Sequence, residues 1–174
     1  MKCVQAIGVG IFLFSVSLVL AGGFGTPKKE DVPKYLTQLK TSQNAADRAK
    51  AAEMLGKRGG INAKDVEEAV EPLRVSLQKD IDARVRAAAA GALGDIHAEA
   101  DTTVPILIDR MKNDAKMDVK MAIVVALGQY GPDAKDAVGP LKDLLKKFDA
   151  KKSNEGKAIQ NSLQLITMKK KKKA

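Results

Sequence analysis

Three basic residues recur at fixed places in this sequence: Arg48, Arg86 and Lys120, with Asp47, Asp82 and Asp118 close by. A row of cations at a constant interval can do one of two things. It can bind an anionic ligand, or it can tie neighbouring helices together through ion pairs and contacts to carbonyl oxygens. The second is the expectation, and such pairs set register more than they supply stability. Catalytic chemistry is harder to assemble. His97 is the sole histidine, with Glu99 two residues on, and its place between helices reads as a solvated or capping side chain. Cys3 is the only cysteine. The scattered serines have no base to activate them except His97. The expectation is therefore a protein that is not an enzyme, with no catalytic residues, no metal and no cofactor.

A second cluster of charge sits at the end of the chain, where Lys169, Lys170, Lys171, Lys172 and Lys173 follow one another. Such a run can attract acidic lipid headgroups, polysaccharide or an acidic protein, each charge near a surface contributing about 1 kcal/mol, or it can merely solubilise the terminus. A weak anionic contact is the expectation. These five and Lys2 are six of the 30 basic residues, so 24 remain against 21 acidic ones. The rest of the chain is thus charge-mixed, which argues against a groove that grips DNA. Aromatic residues make up only 3% and Trp is absent, so stacking on nucleic acid bases is also disfavoured. Neither nucleic acid nor a small-molecule substrate is expected.

The elements that must position these residues are helices. Val119, Ala122, Ile123, Ala126 and Leu127 follow the i, i+3, i+4, i+7, i+8 spacing of one helical face. Asp114 is of N-cap type, Leu127-Gly128 reads as the helix end, and Gly131-Pro132 as a corner. Leu55-Gly56 and Leu93-Gly94 repeat the ending. An N-cap type residue lies thirteen positions before each leucine, at Ser42, Asp80 and Asp114, and the basic residue seven before it. Pro33, Pro72, Pro105 and Pro140 recur at intervals of 39, 33 and 35. Four landmarks in fixed order make this a repeat protein.

The run D-V-K-x-A-x-x-x-A-L-G-x-x-G-P-x-A-x-x-A-V-x-P-L from Asp118 to Leu141 resembles a HEAT repeat, in particular the short bacterial, PBS-lyase-like type. Val85 to Leu107 resembles it less completely, and Asp47 to Leu73 less again. The resemblance covers roughly residues 32 to 166. The aromatic signature of tetratricopeptide repeats and the T-P-L-H corner of ankyrin repeats are both missing. It implies an all-α fold, a right-handed, armadillo-like α-solenoid of about four HEAT-like helix pairs. It also implies a non-catalytic protein–protein interaction scaffold, or else an accessory subunit of an exported enzyme complex. HEAT-like proteins include bilin lyases and deoxyhypusine hydroxylase, whose di-iron centre uses several His-Glu pairs. A HEAT-type lyase or hydroxylase relative is the remaining alternative, although a single histidine without an adjacent glutamate cannot supply that di-iron centre.

The expected helices run over 32–40, 42–56, 65–77, 80–94, 104–112, 114–128, 133–148 and 157–168. Stepping by four along the inner helices gives Ala49, Glu53 and Lys57, then Ala87, Gly91 and Asp95, then Met121, Val125 and Gln129. These residues are expected to line a concave surface. Met121 and Val125 are apolar where solvent should be, so a protein partner docked over Ala87, Gly91, Met121, Val125 and Gln129 is the expectation. Ala88→Asp or Ala122→Asp is expected to bury a charge in a tight contact.

The ends read differently from the repeats. Lys2, the apolar run Ile7 to Leu20 and Ala21-Gly22-Gly23 read as a signal peptide over residues 1–23. An uncleaved membrane anchor is the alternative, although the run is shorter than the roughly 18 residues a span requires. Residues 24–31 read as a linker, 32–168 as the repeat domain and 169–174 as a disordered lysine tail. Export to the periplasm or the extracellular space follows. Cys3, ahead of the apolar run, is badly placed as a lipid acceptor.

Overall fold

In a computed structural model the described residues are 25–149 and 152–168. The segments read as signal peptide and lysine tail, with Cys3 and Lys169 to Lys173, lie outside them. Every regular element described is helical: α1 (Val32–Thr41), α2 (Ala45–Ile61), α3 (Val70–Lys79), α4 (Ala83–Ile96), α5 (Ala100–Asn113), α6 (Met117–Tyr130), α7 (Val138–Leu145) and α8 (Asn154–Thr167). No described helix is long and apolar enough to cross a membrane.

The helices form four consecutive pairs. Each odd-numbered helix packs on the even-numbered helix that follows it, and the even-numbered helices stack on one another, α2 on α4, α4 on α6, α6 on α8. The odd-numbered helices touch each other only lightly. Among the described residues no helix packs substantially against one more than two places along the chain. This is an α-solenoid, whose stability is a sum over neighbours rather than the yield of one central core. Leu55, Leu93 and Leu127 are buried between the layers, joined by Leu73, Leu77, Leu107 and Leu141 from the odd side.

Two expectations about the helix ends are corrected. The Leu-Gly pairs do not end helices, since α2, α4 and α6 run on to Ile61, Ile96 and Tyr130. Gly56, Gly94 and Gly128 are instead buried where stacked helices come closest. A Cβ at Gly56 would lie 2.7 Å from the Ala92 Cα, one at Gly94 2.8 Å from the Ala126 Cα, and one at Gly128 2.8 Å from the Ser162 Oγ. Absence of a side chain is what lets the layers approach. Nor are Ser42, Asp80 and Asp114 N-caps. They terminate α1, α3 and α5, and the N-caps of the following helices are Asn44, Asp82 and Lys116. Their side chains serve the turn between antiparallel helices, accepting from the amide two residues on: Asn44 N to Ser42 Oγ (3.2 Å), Asp82 N to Asp80 Oδ1 (2.9 Å) and Lys116 N to Asp114 Oδ1 (2.9 Å).

The prolines follow helix-start logic in three pairs. Pro33, Pro72 and Pro140 stand in the first turns of α1, α3 and α7, where no amide is needed. Each of those helices is entered through a 3₁₀ segment: Lys29–Asp31, Ala63–Ala69 and Gly131–Ala137. α5 starts directly at Ala100, which leaves Pro105 inside it. Ala88 and Ala122 are only half-buried, at the margin of the stacking face where the first pair carries Lys50. A carboxylate there would reach solvent, so the expected buried-charge penalty belongs elsewhere, at Ala92 or Ala126.

Candidate functional site

Two arrays run along the stack, one inside it and one on its open side. The inner array is built from the turn aspartates. Arg48 donates through Nε and Nη2 to both oxygens of Asp80 (2.8 and 2.9 Å) and through Nη1 to the Ser42 carbonyl (2.9 Å). One pair further on, Arg86 donates to both oxygens of Asp114 (2.8 and 3.0 Å) and to the Asp80 carbonyl (2.9 Å). Asp114, whose side chain is 0% exposed, also receives Arg110 Nη2 at 2.7 Å. Burial alone would raise the Asp114 carboxyl. The two guanidiniums and the Lys116 amide outweigh it and hold the group well below the usual carboxylate range. Asp80 is lowered on the same balance, burial against Arg48 and the Asp82 amide.

The array is therefore a ladder of two bidentate arginine–carboxylate rungs, tying the first pair to the second and the second to the third. The aspartates singled out from the sequence are not its partners: Asp82 pairs with Arg84 (2.7 Å), while Asp47 and Asp118 lie exposed. Lys120, in the third position, donates instead to the Lys112 carbonyl oxygen at 3.1 Å. Sequence reasoning missed Asp80 and Asp114 as rungs. Their signal was a constant interval of six residues to Arg86 and Lys120, hidden because an aspartate before a helix has the look of a cap.

The open array lies on the side of the even-numbered helices turned away from the odd ones. Glu53 and Lys57 on α2, Asp95 on α4, and Val125 and Gln129 on α6 are exposed there, while Ala49, Ala87, Gly91 and Met121 are half-buried between them. Val125 is 51% exposed and Met117, one turn before Met121, is 41% exposed. Nothing lies within 4 Å of where a Cβ on Gly91 would be. A small, uncharged strip thus runs from Ala49 through Ala87 and Gly91 to Met121 and Val125. One end of it is fixed internally, because Gln129 Nε2 donates to Asp95 Oδ1 of the preceding pair (2.6 Å).

His97 closes α4 with a left-handed backbone (φ +54°), followed by Glu99 at φ +47°. Its ring lies 4.6 Å from that of Tyr130, and Nε2 is 3.4 Å from Asp133 Oδ2. Tyr130 donates to the Ala98 carbonyl (2.9 Å), and Arg74 to Glu71 (2.8 Å), Glu99 (2.8 Å) and Thr102 (2.7 Å). These bonds fasten a corner, with the His97 and Glu99 side chains 42% and 50% exposed at its surface. Among the described residues no group of three or more His, Cys, Asp or Glu side chains is placed to hold a metal ion.

Comparison with known proteins adds one finding. A model of HEAT repeats matches residues 32–128, from the start of α1 to near the end of α6. No curated protein matches the chain.

Proposed function

Because the chain belongs to the HEAT-repeat family, whose members are generally protein-interaction scaffolds, we propose that it is a non-catalytic scaffold whose even-helix face docks a partner polypeptide. The observation that carries this is the strip through Ala87, Gly91, Met121 and Val125, with Val125 half exposed in the middle of a helix and charged residues at its margins. An apolar strip with a polar rim is the usual make-up of a contact surface. Its small side chains admit close approach, and the long flexible Met121 can adapt to the incoming surface.

The protein is exported through its first 23 residues, on the strength of Lys2, the apolar run from Ile7 and Ala21-Gly22-Gly23. Lys169 to Lys173 add a weak contact with an anionic surface, and vesicle binding unchanged by their deletion would remove that part of the reading.

The decisive experiment places a photo-crosslinking amino acid at position 125, and separately at Gln78 on the odd layer, in cells that make the protein. A discrete partner band from position 125, absent from position 78 and competed away by the unlabelled chain but not by its Val125→Glu variant, is expected. Equal bands from both positions, or undiminished competition by the variant, would overturn the assignment of this face.

A further inference from the structure

At two rungs of the ladder the cation is met by a carboxylate of the following pair, Arg48 by Asp80 and Arg86 by Asp114. The third cation opens on a cleft. Lys120, Lys112 and Lys147 share the wall of a recess of about 280 Å³ between α5 and α7, whose floor is apolar, formed by Met111, Pro140 and Leu144. Among the described residues Asp143 is the one carboxylate on that wall; it meets Lys146 at 2.8 Å in an exposed pair and also feels the charge of Lys112. The corresponding cleft between α1 and α3 is lined by Lys40, Lys79 and Arg48, but Asp80 and Glu71 stand on the same wall. There the chain supplies its own counter-charge. Between α5 and α7 three lysines, Lys120 among them donating to the Lys112 carbonyl, line an opening that holds a single carboxylate among the described residues, so positive charge is in excess there and attracts an entering anion.

We propose that the α5/α7 cleft is an oxyanion-binding site, in which Lys112, Lys120 and Lys147 take a carboxylate or phosphate group supplied from outside the chain. The incoming oxygens accept from the ammonium groups, as Asp80 and Asp114 accept from arginines at the earlier rungs. An apolar floor beneath the charges suits a short aliphatic stem, such as that of a glutamate side chain. The site is on the odd layer, away from the even-helix face, and does not depend on what that face binds.

The test follows isotope-labelled lysine side chains by NMR in the full chain, titrated with inorganic phosphate and, separately, with an end-blocked tetraglutamate peptide. Saturable shifts confined to Lys112, Lys120 and Lys147 are expected with at least one of them. Saturation by phosphate alone points to a free anion, and saturation by the peptide alone to a partner's acidic side chain. Lys120→Gln should weaken binding about tenfold, the loss of one charge-assisted hydrogen bond. Lys147→Gln, at an exposed position, should do the same, and Lys64→Gln on another cleft should change nothing. No saturation with either probe, shifts spread evenly over all lysines, or binding unaffected by both cleft variants would overturn the proposal.

Discussion

A Cβ added to Gly56 on α2 would stand 2.7 Å from the Cα of Ala92 on α4, and a backbone atom cannot move aside as a side-chain tip can. Gly56→Ala should therefore push α2 and α4 apart and cost about 1–3 kcal/mol, the usual penalty for overpacking. Gly91→Ala makes the same chemical change one helix away, where nothing lies within 4 Å. It should stabilise by about 0.5–1 kcal/mol, because glycine inside a helix is costly relative to alanine. Denaturant midpoints of the two variants should move in opposite directions. Movement the same way would mean that the stacked helices do not meet at this glycine.

That contact shows what was legible and what was not. Helices and their repeat could be read from the 3.6-residue period that ends at Leu127 and from the landmarks recurring around Leu55 and Leu93, because burial of one stripe is a property of the helix itself. The glycines beside those leucines were visible too, but a glycine after the last leucine of a stripe has the same signature whether it ends the helix or lets a neighbour in. Only the position of Ala92, Ala126 and Ser162 on the next even helix distinguishes the two. Asp80 and Asp114 misled in the same way: the residue type that caps a helix also makes the turn before it, and their arginine partners come from another repeat unit. The bond from Gln129 to Asp95 was likewise out of reach, since it depends on the offset between α6 and α4.

Asp114 offers the sharpest electrostatic prediction. Asp114→Asn leaves the Arg86 and Arg110 guanidiniums facing an uncharged amide in a buried place. Breaking a buried pair from one side costs about 3–5 kcal/mol, and the loss should be evident in chemical denaturation at neutral pH. Its pH dependence has a definite sign. The folded carboxyl titrates below its ordinary value of 3.8, so its stabilisation is present above that value and disappears as the pH falls further toward the folded one. The parent should lose stability on acidification below about pH 4, and Asp114→Asn should lose less over the same interval. Parallel pH profiles for the two proteins would contradict the ladder.

Tyr130 tests the corner from the alkaline side. Its hydroxyl donates to the Ala98 carbonyl at 2.9 Å, and burial pushes the phenol up to about 12. The folded value exceeds the unfolded one near 10, so the contribution to stability is whole below pH 10 and vanishes as the pH rises through 12. Ultraviolet titration of the folded protein should show the phenolate of this tyrosine only near the upper figure. Tyr130→Phe should cost about 0.5–1.5 kcal/mol, one hydrogen bond, while keeping the ring against His97. Ionisation of Tyr130 near pH 10 with the fold intact would place its hydroxyl in water.

Val125→Glu separates the fold from the proposed docking role. The side chain is 51% exposed, so a carboxylate there stays hydrated and makes no cavity. Stability should change by no more than about 0.5 kcal/mol, as for other surface substitutions. Partner capture should nevertheless collapse, because the same carboxylate would have to be desolvated beneath a surface docked on an apolar strip. Leu127→Ala, two residues away and fully buried, should behave in the reverse sense. It should lose about 2–5 kcal/mol of stability while any molecules that remain folded still present the strip to a partner. Thermal melts and quantitative crosslinking on the pair read the two axes independently. If Val125→Glu lowered stability as Leu127→Ala does, the open face would be part of the packed interior, and a partner would have no surface there to bind.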